Sequence, residues 1–302
     1  MDYPEFLSQV QSHICSRFGG DAQVKIFPVV KNNDLKLDSL IIRMPGEIIT
    51  PSIYLNPYYE RYLGGAPMAD IVSDIAFTYE ANRSAVNIDP ELLHDFSRAK
   101  ELITFRLINT AGNRELLGDV PHYEYMDLSI VFCITLLNMG NDGLSGTVLV
   151  HNCHTEKWGV TCQQLFELAY ENTPRLLPYE LVPLSSAADI TKAGEEDSWP
   201  EDLFSSSSPA CVLTNSRRSF GAAYMLYNDI LARSSCMCGD DIYILPSSIH
   251  EVILVPASFC PSAHYLRSIV QEINATEVPA DEVLSDNVYF YSRSLGKLTM
   301  AS

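Results

Sequence analysis

The chain has 302 residues, of which 47% are hydrophobic and 19% are charged, and its formal net charge is −18. This balance is typical of a folded protein with a sizeable core and excludes a disordered chain. The acidity is general, with Lys+Arg 11 against Asp+Glu 19 before His151 and 9 against 19 from there on. Because such a surface repels phosphate, we expect neither non-specific nucleic-acid binding nor binding to an anionic membrane.

The N-terminal residues and the cysteines predict a cytoplasmic protein. The chain begins Met1-Asp2-Tyr3-Pro4-Glu5, without the basic start and apolar segment of a signal peptide. The most apolar run, residues 128–137, has about half the length of a membrane span. The eight cysteines lack the spacing of a disulfide framework, which indicates a reducing compartment.

In the first third of the chain, hydrophobic periodicity predicts helices around one hairpin. The predicted elements, in order, are a helix ending at Gly19-Gly20, strands 24–30 and 35–43 around the turn residues 31–34, a strand within 48–55, and helical structure from 57 to 83. A helix can begin at Pro90, and residues 103–108 predict the next strand.

Strands alternate with helices less regularly in the remaining chain. The predicted elements are a strand 128–137, a hairpin turn 138–146 into 147–150, a helix capped by Thr161 and Gln164, strands 211–214, 242–245, 251–255 and 288–291, and helices 222–233 and 263–274. Hairpin-linked strands mixed with helices predict an α+β fold with mixed, largely antiparallel sheets and packed helices. Residues 185–209 form an acidic, Ser-rich loop, so the single unit 1–302 divides into predicted lobes 1–184 and 210–302.

Several sequence blocks are specific when they are taken together. They are Pro51-Ser52-Ile53-Tyr54-Leu55 with Tyr58-Tyr59-Glu60, Val120-Pro121-His122 with Tyr125-Met126-Asp127-Leu128, Trp158-Gly159-Val160 with Ala169-Tyr170-Glu171-Asn172-Thr173, Leu213-Thr214-Asn215 with Gly221-Ala222, and Leu245-Pro246-Ser247-Ser248-Ile249-His250-Glu251-Val252. With these blocks the chain resembles domain-of-unknown-function family 5688, which is found mostly in gut Firmicutes. The resemblance covers nearly the whole chain and implies one functional unit, but it implies no activity and no catalytic residues.

Acid–base chemistry has candidates in two of these blocks. His250 and Glu251 are residue types that serve as acid, base or metal ligand, yet Leu254 stands where a zinc-protease helix needs its second His. The strand predicted after them turns neighbouring side chains to opposite faces, which favours a structural role. His122, Glu124 and Asp127 are the other candidates for an enzyme site assembled from distant loops.

Metal-binding chemistry has its best candidates in His151, Cys153 and His154, with Cys162 further along the chain. The cysteines lack paired CxxC spacing, and a free Cys is commonly a small buried hydrophobe. A magnesium-dependent nuclease is a further hypothesis, because carboxylates beside a lysine can hold Mg²⁺ and water, as Asp21, Asp34 and Lys36 could do together. Such a triplet is, however, common by chance. No metal or other cofactor is therefore assigned from the sequence.

Two further sets of residues suit binding rather than catalysis. Asn215, Arg217 and Arg218 precede Gly221-Ala222 and could either bind an anion or cap a helix. Four tyrosines are suited to a protein interface or to packing against a neighbouring helix: Tyr54, Tyr58, Tyr59 and Tyr62. Because no convergent catalytic set emerges, the sequence favours a non-enzymatic binding or regulatory module with a protein partner over an enzyme.

Overall fold

The computed structural model describes residues 1–47, 50–83, 90–139, 144–186, 204, 210–260 and 262–301. Its strands form three sheets in which every pairing is antiparallel, and helices pack on them, so the α+β prediction is confirmed. Among these residues, no helix combines the length and the apolar character that crossing a bilayer requires.

Residues 1–83 form an N-terminal unit with its own core. Its elements are α1 (Tyr3–Phe18), β1 (Gln23–Val30), β2 (Lys36–Arg43), β3 (Ser52–Tyr54), α2 (Asn56–Leu63) and α3 (Met68–Arg83), with sheet order β1-β2-β3. The side chain of Asp2 caps α1 by accepting the Glu5 N–H, and the helix ends at Gly19 as predicted. The predicted helical stretch 57–83 is two helices, because Gly64-Gly65 and Pro67 interrupt it.

The second sheet is built around one long strand. Its region contains α4 (Phe96–Ala99), β4 (Ile103–Asn109), α5 (Arg114–Leu117), β5 (His122–Tyr125), β6 (Leu128–Met139), β7 (Leu144–Leu149), α6 (Asn152–Trp158) and α7 (Cys162–Leu176). β6 pairs with β4 along one side and with β5 and then β7 along the other. Thr161 and Gln164 form the predicted capping box at the start of α7. Residues 140–143 of the predicted turn lie outside the described residues.

The third sheet has the order β13-β12-β10-β11-β9-β8. The elements of this region are β8 (Tyr179–Pro183), β9 (Cys211–Asn215), α8 (Asn228–Cys238), β10 (Ile242–Ser248), β11 (Glu251–Pro256), α9 (Ala263–Thr276), β12 (Tyr289–Ser292) and β13 (Lys297–Met300). The helix predicted over 222–233 was wrong in its bounds: residues 221–226 are a 3₁₀ turn and α8 starts after the extended Tyr227. Two buried hydroxyls explain the break, since Tyr224 donates to the Leu177 carbonyl and Tyr227 to that of Tyr170.

The largest hydrophobic core joins the second and third sheets. It runs from Ala99 to Leu298 in sequence and includes residues on both sides of positions 187–209. β8, which precedes these positions, and β9, which follows them, pair with each other within one sheet. The lobe boundaries 1–184 and 210–302 stay a prediction, while the cores separate the N-terminal unit from residues 90–301, which we call the body.

The N-terminal unit meets the body at the tip of its β1–β2 hairpin. Asn33 adopts a left-handed conformation with φ 59°, and its side-chain amide donates to the Ala280 and Val283 carbonyls. The fully buried Asn113 accepts the Asn33 backbone N–H at 2.7 Å and donates back to the Asn33 side chain. Hydrogen bonds between amide groups therefore fix the N-terminal unit to the body through Asn33, which the sequence predicted to lie in a turn.

Candidate functional site

The β5–β6 hairpin carries two of the residues predicted as acid–base candidates. Tyr125 pairs with Leu128, so Met126 and Asp127 form a two-residue loop, and Met126 has φ 58°. A positive φ is rarely adopted by a non-glycine residue and is often found where function or tertiary contacts demand it. The loop therefore places the partly exposed Met126 side chain at the surface.

The carboxylate of Asp127 is held by neutral donors from the far end of the chain. It accepts the hydroxyl of Ser285 at 2.6 Å, the amide of Asn287 at 3.0 Å and the hydroxyl of Tyr289 at 2.7 Å. Burial of Tyr289, and next the negative charge of Asp127, raise the pKa of that phenol, which keeps it protonated as a donor. Asp127 thus ties the β5–β6 hairpin to the segment that leads into β12.

Three predicted residues line one open depression on the body. His122, Glu124 and Asp127 surround a space of about 460 Å³ together with Arg114. Because a carbonyl can only accept, the contact of His122 Nδ1 with the Val120 carbonyl at 3.0 Å places the proton of a neutral ring on Nδ1. Nε2 of His122 is then the basic nitrogen, and the depression combines a base with an exposed carboxylate.

His250 and Glu251 lie at a different place. Nδ1 of His250 accepts the backbone N–H of Phe220 at 3.1 Å, so a neutral ring carries its proton on Nε2, which lies 3.6 Å from Oε1 of Glu282. The backbone carbonyl of His250 accepts the hydroxyl of Thr214 at 2.9 Å. His250 therefore joins the loop before the 3₁₀ turn to β11, and the five acid–base candidates occupy two places rather than one.

The histidines proposed as metal ligands organise the start of α6. Nδ1 of His154 accepts the backbone N–H of His151, and the His151 ring contacts Asp119 at 2.7 Å. Burial, followed by the neighbouring positive groups, lowers the pKa of His154, whose ring stacks on Trp158. Cys153 is exposed. In the ranges given above, no group of three His, Cys, Asp or Glu side chains is arranged to hold a metal ion.

Cys162, the further cysteine of that set, lies at the free edge of β5. Its thiol donates to the carbonyl of His122 at 3.5 Å. Burial raises its pKa, so the sulfur is a protonated thiol at neutral pH. α7 therefore covers the His122 end of this edge strand, while the Glu124 end stays open to the groove described below.

The nuclease triplet is dispersed into structural contacts. Asp34 accepts the backbone N–H groups of Glu115 and Leu116 and so caps α5, and Lys36 forms an exposed ion pair with Glu115 at 2.9 Å. Asp21 lies in an exposed turn before β1. These contacts attach the N-terminal hairpin to the body.

The predicted anion-binding loop is organised by its own asparagine. The side chain of the buried Asn215 accepts the Arg217 N–H and donates to the Ser219 carbonyl. Arg218 and Phe220 both have positive φ, and Phe220 lies between the guanidinium of Arg106 and the ring of His250. Asn215 closes the loop before the 3₁₀ turn but does not cap it, since the N-cap residue is Phe220 and no side chain among the described residues caps this turn.

The tyrosine cluster packs against the core of the N-terminal unit. Tyr59 lies 4.8 Å from Tyr3 and 5.1 Å from Phe6 between ring centres, and Tyr62 also contacts Phe6. Tyr58 and Tyr62 are half-buried, while Tyr54 lies on the opposite face of the sheet. Packing therefore accounts for the helical tyrosines, and Tyr54 belongs to a separate surface.

A larger groove, absent from the sequence prediction, opens between the second and third sheets. Its volume is about 610 Å³. Its walls are the β5–β6 hairpin and strand β13, and its floor is formed by the fully buried Met225 and Leu231. Met126 and Met300, which are 36% and 42% exposed, lie on opposite walls. Methionine is suited to such a surface because its flexible thioether adapts to different partners.

Strand β13 presents free backbone groups at the groove. The backbone N–H of Ala301 donates to the Val288 carbonyl, so these two residues form a hydrogen-bonded pair. Along an antiparallel ladder such pairs alternate with pairs that are not hydrogen-bonded, and Met300–Tyr289 and Leu298–Tyr291 are of the second kind. The N–H and C=O of Leu298 and Met300 therefore point away from β12. In the part of the chain that the structure describes, no strand pairs with this side of β13. A sequence signal existed, since Gly296 separates two short alternating segments that form a hairpin.

The fold and the groove define an α+β protein of three antiparallel sheets with an open, methionine-lined sheet edge. The chain belongs to the family of unknown function DUF5688, whose model matches residues 3–293. The resemblance inferred from the sequence blocks is thereby confirmed. No curated protein and no solved structure matched the chain.

Proposed function

We propose that this protein is a non-enzymatic binding module that takes up an extended polypeptide segment along the free edge of β13. The observation that carries the proposal is the alignment of a strand edge, unpaired among the described residues, with a groove of about 610 Å³ that has an apolar floor. Main-chain groups of an edge strand supply affinity for an added strand, and neighbouring pockets select alternate side chains of that strand.

The geometry suits a short segment. The outward backbone groups of Leu298 and Met300 can pair with about three to five residues of a partner at the usual rise per residue. On one face of such a strand, alternate side chains would enter the groove between Met126 and Met300. Apolar side chains are expected there, since Met225 and Leu231 form the floor.

Charge favours a partner that is neutral or basic. A net charge of −18 opposes pairing of two copies of this chain through β13, whereas it attracts a cationic segment at long range. The same charge keeps nucleic acid away from the groove. The partner we propose is therefore an extended segment with alternating apolar residues and Lys or Arg between them.

The enzyme alternative has a narrower basis. It now concerns the depression at His122, Glu124 and Arg114, because Asp127 is engaged by three donors and His250 lies elsewhere. No serine or cysteine is among the described residues that line this depression, and the nearby Cys162 is a protonated thiol that donates to the backbone carbonyl of His122. The binding proposal therefore explains both the strand edge and the groove, whereas the enzyme alternative explains only the depression. A cytoplasmic location is part of the proposal, and all eight cysteines are free thiols.

A displayed library of random 12-residue peptides, selected on the whole chain, tests the proposal. Met300→Pro removes one outward N–H without removing a ladder bond, and Met300→Leu keeps the N–H with a side chain of similar size. We expect selected peptides with alternating apolar residues to bind the wild type and Met300→Leu alike. Met300→Pro should weaken them about ten-fold, the value of one hydrogen bond.

Two results would refute the proposal. One is selection that enriches no peptide above an unrelated protein of equal net charge. The other is equal binding of the selected peptides to Met300→Pro and to the wild type, which would place their site away from the β13 edge. Thermal unfolding of both variants checks that each is folded. We expect both to fold, because Met300 is partly exposed and lies on an edge strand.

A further inference from the structure

The outer face of the N-terminal sheet has an unusual composition for this chain. Helices α1 and α3 cover the inner face, where Val24, Leu40 and Ile42 are buried. Strand alternation and register place ten residues on the outer face: Gln23, Lys25, Phe27, Val29, Leu37, Ser39, Ile41, Arg43, Ser52 and Tyr54. None of these ten is acidic, although the chain carries 38 acidic residues.

Aromatic side chains form a row across this outer face. Phe27 pairs with Ser39, and Ser39 pairs with Tyr54, so the two rings stand on either side of a small residue. Ser39 is fully buried between its two cross-strand neighbours, and its hydroxyl bonds that of Ser52. Phe27 itself is 39% exposed, which leaves apolar area at the surface.

Cations surround the row. The ammonium of Lys31 lies 4.8 Å from the centre of the Tyr54 ring, and the exposed Lys25 and Arg43 lie on the same face along the strands. The charge of the chain is also uneven, with Lys+Arg 7 against Asp+Glu 10 in residues 1–83 and 13 against 28 in 84–302. Since charges more than about 8–10 Å away are largely screened at physiological salt, a partner at this face meets mainly cations.

We propose that this face is a second interaction surface, which binds an amphipathic helix with an apolar stripe and acidic flanks. An antiparallel sheet can leave its second face to solvent, but a second face with exposed apolar area can pack against a further layer, and a helix is the layer that fits a short three-stranded sheet. Val29, Leu37 and Ile41 supply aliphatic area for the stripe, and Lys25, Lys31 and Arg43 supply the opposite charge for its flanks. Aliphatic side chains favour this partner over single-stranded nucleic acid, whose bases stack on aromatic rings and whose phosphates pair with cations.

Fluorescence anisotropy with defined probes tests this surface on the whole chain. The probes are a peptide of about 20 residues with Leu at every third and fourth position and Glu on its flanks, the same peptide with Lys in place of Glu, and a 20-nucleotide oligo-dT. We expect the Glu peptide alone to bind, with an affinity that falls as salt rises. The double variant Lys25→Glu/Arg43→Glu should weaken it about ten-fold or more.

Two controls keep the result interpretable. Arg17→Glu/Lys157→Glu changes the net charge equally at exposed residues outside this face, so it should leave binding nearly unchanged. Phe27→Ser removes an exposed ring and should weaken binding without a large loss of stability. Binding of oligo-dT in place of the Glu peptide, equal binding of both peptides, no binding of any probe, or equal effects of the two charge variants would each overturn the proposal. The Met300 variants test the groove at β13, so their results neither support nor contradict the proposal for this face.

Discussion

Gly221 makes a sharp test of the packing between the loop after β9 and the strand β11. A Cβ added there would lie 2.6 Å from Oγ1 of Thr214, 2.7 Å from the Thr214 Cα and 2.7 Å from the carbonyl oxygen of His250. Two of these atoms are backbone, so no side-chain rotation relieves the clash. Ordinary contact needs about 3.4 Å or more, and β9 and the turn before β11 must therefore separate by several tenths of an ångström.

We expect Gly221→Ala to lower the free energy of unfolding by about 3 kcal/mol, the upper end of the usual cost of overpacking. The separation would also stretch the hydrogen bond from Thr214 to the His250 carbonyl, which is 2.9 Å long. Equilibrium unfolding in urea, followed by circular dichroism, measures the change through the midpoint at constant slope. The melting temperature should fall by several degrees.

Two other glycines calibrate the measurement. At Gly159 the added Cβ meets nothing within 4 Å but φ is +65°, so Gly159→Ala costs only left-handed strain of about 1 kcal/mol. At Gly20 neither the surroundings nor φ opposes a Cβ, and Gly20→Ala should be nearly neutral. A Gly221→Ala effect no greater than that of Gly159→Ala would refute the packing described for this junction.

Three more predictions concern polar contacts. Asp127→Ala leaves three donors without their acceptor and should cost about 2–4 kcal/mol in urea unfolding, whereas a cost below about 1 kcal/mol would contradict the proposed tie to the segment before β12. Asn113→Ala should cost about 2 kcal/mol and increase hydrogen exchange in residues 23–43 more than in α9, and uniform exchange would argue against a polar joint at Asn33. Burial raises the pKa of Glu47, but the Met44 N–H, the Tyr79 hydroxyl and Arg83 outweigh it, so the pKa is lowered from 4.5. Its stabilisation is therefore present above pH 4.5 and lost as pH falls through the lowered value, and Glu47→Gln should flatten the dependence of stability on pH below pH 4.5.

Local signals predicted those elements that depend on neighbouring residues. The end of α1 at Gly19, the turn between β1 and β2 and the capping box of Thr161 with Gln164 depend on residues within four positions of each other. The bounds of α8 were not predictable in this way. Hydroxyls of Tyr224 and Tyr227 reach carbonyls 47 and 57 residues away, and these contacts override the helical periodicity.

For the candidate site residues, too, local sequence indicated the residue type but not the contacts. Residue type singled out Asp127 and His250 as acid–base candidates, whereas the contacts that they make come from partners far away in sequence, such as Ser285, which is 158 residues from Asp127. No spacing rule connects such positions. The groove escaped prediction for a related reason, since its walls come from β5 and β13, strands of four residues each.

Composition and periodicity, which act over short stretches of chain, were enough to predict the α+β class, the acidic character and most elements longer than six residues, and the sequence blocks were enough to predict the family. Tertiary structure alone decided which residues share a surface. It divided the five acid–base candidates between two places, left the edge of β13 open beside a methionine-lined groove, and collected Lys25, Lys31 and Arg43 on one face of an acidic protein. These groupings depend on the pairing of distant strands and on the burial of distant side chains, which no local pattern encodes.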